Sequence, residues 1–121
     1  MNLRGKKVLV VGLGRTGEAL CQFLLSRRAQ VKVSDKKNEE ELGGKVAFWR
    51  KKGVVLETGK HDRQSFLEAD LIIPSPGVPP IPELKMAQDQ GIPVISEIEL
   101  ACHFLRGRII GITGSNGKST T

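Results

Sequence analysis

Lys6-Lys7-Val8-Leu9-Val10-Val11-Gly12-Leu13-Gly14-Arg15-Thr16-Gly17 is the stretch whose reading decides the fold. Its first half is short, rich in valine and closed by glycine, the pattern of a strand buried on both faces. Its second half matches G-x-G-x-x-G. Thr16 to Arg28 follows as an expected helix, with Leu20, Phe23 and Leu24 on one face. Strand, glycine turn and helix start in that order are the context the motif needs. Gly12 permits the tight turn, Gly14 lets backbone approach a diphosphate, and Gly17 lets the helix lie close to the strand. The helix start then offers free N–H groups and a partial positive charge to an anion, with Arg15 and Thr16 placed to add contacts.

Working outward, Gln30–Asp35 alternates polar and apolar and predicts a second strand. Glu39–Lys52 predicts a helix, with Leu42, Val46 and Trp49 on its buried side, acid at its start and base at its end. Gly43-Gly44 weakens that helix, and Gly53 suits a left-handed stop. Val54–Glu57, Asp70–Pro74 and Pro93–Ile95 predict three more strands. Pro82–Gln90 predicts a short helix with proline at its start and Gly91 past its end. Ser96 and Glu99 form a capping box that opens a helix to about Leu105. Arg108–Thr113 predicts a sixth strand leading into a second glycine-rich loop.

Strands alternating with helices imply parallel pairing through right-handed crossovers. The expected fold is α/β: a Rossmann-like open parallel sheet of about five strands with helices on both faces. The sixth strand and its loop are expected to begin a truncated ATPase domain. The expected domains are residues 1–106 and 107–121.

Composition narrows the function classes. The chain has 121 residues, 39% hydrophobic and 26% charged, the balance of a folded domain. No apolar run approaches the length of a membrane span, and no apolar leader precedes the first strand, so a cytosolic protein without membrane partners is expected. The net charge of +6 fits an anionic ligand. Aromatics make up only 4%, which argues against a stacking platform for nucleic acid. Cys21 and Cys102 lack metal or redox spacing and read as small buried thiols. Trp49 reads as core. His61 and His103 read as surface or satisfied side chains.

Two further features bear on the ligand. Asp35 ends the second strand, where nicotinamide enzymes place an acid on the ribose hydroxyls. This supports a rival expectation, an NAD-dependent oxidoreductase; a regulatory module that merely senses a nucleotide is a second. Lys36 and Lys37 follow as ligand contacts or plain surface lysines. The second loop, Gly114-Ser115-Asn116-Gly117-Lys118-Ser119-Thr120, departs from strict Walker A spacing because Ile112 stands where its first glycine belongs. Its G-K-S core survives. Backbone amides there would cradle phosphates, Lys118 would reach the β/γ oxygens and Ser119 would hold Mg²⁺. One loop for a nucleotide-linked substrate and another for ATP is the economical account of both.

Gly111 to Thr120 resembles the ATP loop of the Mur ligases, whose variant loop departs from Walker A in the same way. Gly12–Gly17, Ser75-Pro76-Gly77-Val78 and Gly91–Leu100 resemble the D-glutamate-adding branch of that family. The resemblance implies that residues 1–106 bind the UDP part of UDP-N-acetylmuramoyl-L-alanine. Gly14, Arg15, Thr16 and Gly17 would meet the diphosphate, and Asp35, Lys36, Ser75, Pro76 and Gly77 would lie near the uridine. It further implies that ATP and Mg²⁺ serve a complete ligase in peptidoglycan synthesis. ATP would phosphorylate the alanine carboxylate, and the D-glutamate amine would attack the acyl phosphate, releasing ADP and phosphate. Gly114, Ser115, Asn116, Gly117, Lys118, Ser119 and Thr120 would hold the ATP, with Lys118 and Ser119 catalytic. The sequence ends at Thr121 without the rest of that apparatus, so the chain as given is expected to bind but not to catalyse.

Overall fold

The computed structural model describes residues 3–109. The elements run β1 Lys7–Val11, α1 Arg15–Ser26, β2 Gln30–Asp35, α2 Glu39–Leu42, α3 Lys45–Lys51, β3 Val55–Thr58, α4 Arg63–Glu68, β4 Leu71–Pro74, α5 Pro82–Asp89 and α6 Glu97–Ile109. The four strands form one parallel sheet in the order β3-β2-β1-β4. Consecutive strands β3 and β4 therefore lie at opposite edges, with α4 crossing between them.

The register explains why the valine-rich run sits at the centre. Val8 and Val10 pair with Val31 and Val33 on one side and with Leu71 and Ile73 on the other. These side chains share one face and pack under α1 through Leu20, Cys21 and Leu24, and under α3 through Val46 and Trp49. Leu9, Val11 and Ile72 point to the opposite face, beneath Phe66 of α4 and Ala87 of α5. Helices thus cover both faces, and β1 is apolar throughout its buried length because neither face meets water. A one-residue slip would exchange the two cores, which fixes the pairing.

Several expectations change in detail. Glu39–Lys52 is not one helix. It breaks at Gly43, whose φ of +66 is left-handed backbone, and the chain restarts at α3. Asn38 and Glu41 close a reciprocal capping box on the short α2. The helix α4 was missed. Asp62 caps it by accepting from the Gln64 amide, and its six residues are too few to set up a helical period. Where Pro93–Ile95 was expected as a strand, Val94 makes a single parallel bridge to Ile72, with Ile72 bonded to Pro93 and Ile95. Pro93 lacks the amide that would extend the ladder.

The Ser96–Glu99 capping box forms as expected. α6, however, continues past Leu105 and through Arg106 and Gly107, where the domain limit was expected. Arg108 and Ile109, expected as strand, are helical, and the remainder of that strand lies outside the described residues. Trp49 is core, as read, but Cys102 is exposed and only Cys21 is buried. No helix among the described residues is long and apolar enough to cross a membrane.

Candidate functional site

The strand order places β1 between β2 and β4, so the loops leaving β1 and β4 diverge over opposite halves of the sheet. A crevice opens at such a switch point, beyond the carboxyl ends of the strands. Here it is a cavity of about 410 Å³. Its walls are the β1–α1 loop with the first residues of α1, Asp35 to Lys37 after β2, His61 after β3, and Ser75 to Ile81 after β4. That volume lies within the range of small-molecule sites, about 300–1,000 Å³.

The glycine loop is held from both sides. The Gly12 amide donates to the Ser34 carbonyl at 2.8 Å, and the Gly12 carbonyl accepts from the Ser75 hydroxyl at 2.9 Å. Gly12 itself has a φ of +92, a conformation that side-chain-bearing residues rarely adopt. A Cβ on Gly17 would stand 2.2 Å from the Gly12 carbonyl oxygen, so only glycine allows α1 to start this close to β1. Gly14 differs: a Cβ there would meet nothing within 4 Å. The open space beside Gly14 belongs to the cavity.

α1 begins with no side-chain cap. Glu18 N–H is bonded to the Gly14 carbonyl, which leaves the amides of Arg15, Thr16 and Gly17 without an intrahelical acceptor. Buried or half-buried amides of this kind need a partner, and an anion is the partner that also matches the helix dipole. The exposed Arg15, Lys36 and Lys37 add positive charge at the rim.

Asp35 has a structural job that the sequence did not reveal. Its carboxylate accepts from the Leu13 amide at 2.8 Å and from the Lys37 amide at 2.9 Å, and it is only 9% exposed. It ties the glycine loop to the turn after β2. A carboxylate retains further lone pairs, so the same group can still accept from a ligand hydroxyl. Ser75 is likewise committed through its hydroxyl to Gly12, whereas Pro76 and Gly77 are exposed on the cavity wall.

All nine residues singled out for substrate, Gly14, Arg15, Thr16, Gly17, Asp35, Lys36, Ser75, Pro76 and Gly77, thus gather at one end of the sheet; all but Gly17 line the cavity directly. His61, read from sequence as a bystander, lines it too. The signal was its place after β3, at the same carboxyl end as the two glycine-bearing loops. Gly114 to Thr120, including Lys118 and Ser119, lie outside the described residues. Among the described residues no cluster of His, Cys, Asp or Glu could hold a metal ion. Cys21 offers no nucleophile: burial, reinforced by Glu18, pushes its thiol up to about 12. What the described arrangement offers is a site for an anion, on the open amides at the start of α1 with Arg15, Lys36 and Lys37 at its rim.

Comparison with known proteins bears on the family and the fold. Residues 6–96 match the family described as "Mur ligase MurD-like, N-terminal domain". The chain is 52% identical, over its whole length, to the UDP-N-acetylmuramoylalanine--D-glutamate ligase of Koribacter versatilis, and 48% identical over 99% of its length to the enzyme of that name from Desulfatibacillum aliphaticivorans. It spans 27% of the length of each. Among solved structures, a pseudomurein peptide ligase type C from Methanothermus fervidus superposes with a TM-score of 0.67 at 23% identity, over 79% of this chain and 20% of that one. SirC, a precorrin-2 dehydrogenase, superposes with a TM-score of 0.59 at 20% identity, over 78% of this chain and 45% of that one. Those two likenesses establish the Rossmann-like fold, which ligases and dehydrogenases share. The family match is what separates them, and by it this chain belongs to the Mur ligases, as a MurD-like N-terminal domain.

Proposed function

We propose that this domain binds the UDP moiety of UDP-N-acetylmuramoyl-L-alanine and presents that substrate within a ligase that adds D-glutamate in peptidoglycan synthesis. The observation that carries the reading is the uncapped start of α1, opening into the switch-point cavity beside an unobstructed Gly14. The diphosphate would lie on the Arg15, Thr16 and Gly17 amides. Lys36, Asp35 and the Ser75-Pro76-Gly77 turn would flank the nucleoside. The relatives' names supply the substrate's identity.

The chemistry of the whole enzyme belongs to the same proposal. ATP and Mg²⁺ would be held by Gly114 to Thr120, with Lys118 on the phosphates and Ser119 on the metal. ADP-forming activation of the alanine carboxylate, then attack by the D-glutamate amine, would follow there. The share of residues 1–106 in that reaction is to hold the nucleotide end of the substrate, and the chain without further apparatus would bind and not ligate.

Calorimetric titration tests the binding claim. UDP-N-acetylmuramoyl-L-alanine should bind one to one, UDP should compete with it, and NADH should produce no heat. Tight NADH binding with no response to the UDP-sugar would instead favour a dinucleotide oxidoreductase, the reading that Asp35 and the glycine loop alone allow.

A further inference from the structure

His61 follows β3 in the loop that leads to α4, and two contacts fix its ring. Its Nδ1 lies 2.7 Å from the Ser34 hydroxyl, and its ring stands perpendicular to that of Phe66, with centroids 5.8 Å apart and planes at 87°. Both neighbours are fully buried. Ser34 is the penultimate residue of β2, paired with Val11 of β1 and Glu57 of β3, and its hydroxyl has no partner other than His61 among the described residues. A buried hydroxyl without a partner is costly, so the pair is held together strongly. Ser34 also accepts the Gly12 amide through its carbonyl. The same residue thus orients the imidazole and the glycine loop. A second tie joins the two loops, as Gly59 N–H donates to the Lys37 carbonyl at 3.0 Å.

With Nδ1 engaged, the other ring nitrogen, Nε2, has no hydrogen-bond partner among the described residues, and the half-buried ring lines the cavity. It stands on the β2–β3 side of the crevice with Asp35 to Lys37, away from the β4 loop. A rigid, oriented imidazole with one spare nitrogen on a cavity wall is suited to a directional hydrogen bond.

We propose that His61 is a specificity-determining residue that holds a polar atom of the ligand's nucleoside through Nε2. This rests on the reading of the cavity as the UDP site. The diphosphate takes the α1 amides, Ser34 sets the imidazole's orientation, and Nε2 discriminates the nucleoside from a bare pyrophosphate end.

Two substitutions separate this role from a structural one. Asparagine reaches only as far as Nδ1, so His61→Asn keeps the Ser34 bond and removes the nitrogen facing the cavity. Glutamine reaches as far as Nε2, so His61→Gln restores a polar group there. UDP is titrated into the 121-residue chain and both variants, each first shown to unfold cooperatively in urea; His61→Gln should do so at a lower midpoint, because it leaves the buried Ser34 hydroxyl unpaired. His61→Asn should bind UDP roughly tenfold more weakly, the equivalent of one well-placed hydrogen bond, and His61→Gln should stay within about twofold of wild type. In wild-type protein, UDP should shift the ¹⁵N resonance of His61 Nε2; only His103 competes for assignment. An affinity for His61→Asn within about twofold of wild type overturns the proposal. Equal weakening of both variants with an unmoved Nε2 resonance also overturns it, since His61 would then merely support the loop. Failure of the folded wild-type chain to bind UDP at all would sink the UDP site itself, a separate result.

Discussion

Gly17→Ala probes the contact that lets α1 start against β1. The new methyl carbon would fall 2.2 Å from the Gly12 carbonyl oxygen, 3.2 Å from the Gly12 carbonyl carbon and 3.2 Å from the Ser75 hydroxyl. Ordinary contact would require a retreat of roughly 1 Å or more. Gly12 cannot retreat freely, because Ser34 holds its amide and Ser75 holds its carbonyl. Overpacking costs about 1–3 kcal/mol, and losing the Ser75 hydrogen bond adds about 0.5–1.5 kcal/mol. Alanine returns up to about 1 kcal/mol through its better helix propensity. The net expectation is a destabilisation of about 2 kcal/mol, or roughly 8 °C in Tm for a domain of this size. Gly14→Ala is the internal control, since its φ of −88 suits any residue and its Cβ meets nothing. Its stability should equal wild type or exceed it by a few tenths of a kcal/mol, up to about 1 kcal/mol. Urea unfolding of the three proteins, with equal m-values, makes the comparison. If Gly17→Ala is as stable as Gly14→Ala, the close approach of helix and strand is not what fixes glycine at position 17.

Three other outcomes follow from the same geometry. Gly14→Val should leave the urea midpoint unchanged and cut affinity for UDP at least roughly tenfold by crowding the diphosphate's place; undiminished binding would remove the anion from that corner. Asp35→Asn turns an amide's hydrogens toward one of two backbone donors and should cost about 1–3 kcal/mol, read by urea unfolding; an unchanged midpoint would mean that the carboxylate does not tie the loop. Thiol titration in native protein should modify the exposed Cys102 quickly and Cys21 only on unfolding. Because burial raises the Cys21 thiol from 9.0 to about 12, folding keeps it protonated, and its contribution to stability is whole below pH 9 and fades as pH climbs toward 12. Rapid labelling of both cysteines at neutral pH would contradict the packing under α1.

Local patterns carried much of this protein in the sequence. The apolar run Val8–Val11, the glycine spacing through Gly17 and the alternation of β2 each depend on near neighbours, and they set the parallel α/β fold and the position of the first loop. The capping box at Ser96 and Glu99 was legible for the same reason, as both partners lie within one helical turn. Only the tertiary structure decided the rest. Whether Pro93–Ile95 forms a strand depended on how much of the β4 edge it could meet, and it meets Ile72 alone. Cys102 and Cys21 look alike in sequence, but only Cys21 falls beneath the sheet. Asp35 reads as a ligand acid in sequence, and its second role, holding the glycine loop, appears only when the chain brings Leu13 back to it across 22 residues of sequence. His61 reads as a surface or satisfied residue, and only the fold shows that Ser34, 27 residues away, takes its Nδ1 while its ring lines the cavity. Periodicity reports which face of an element is apolar, whereas these roles are set by pairings between loops that meet only once the strand order β3-β2-β1-β4 is in place.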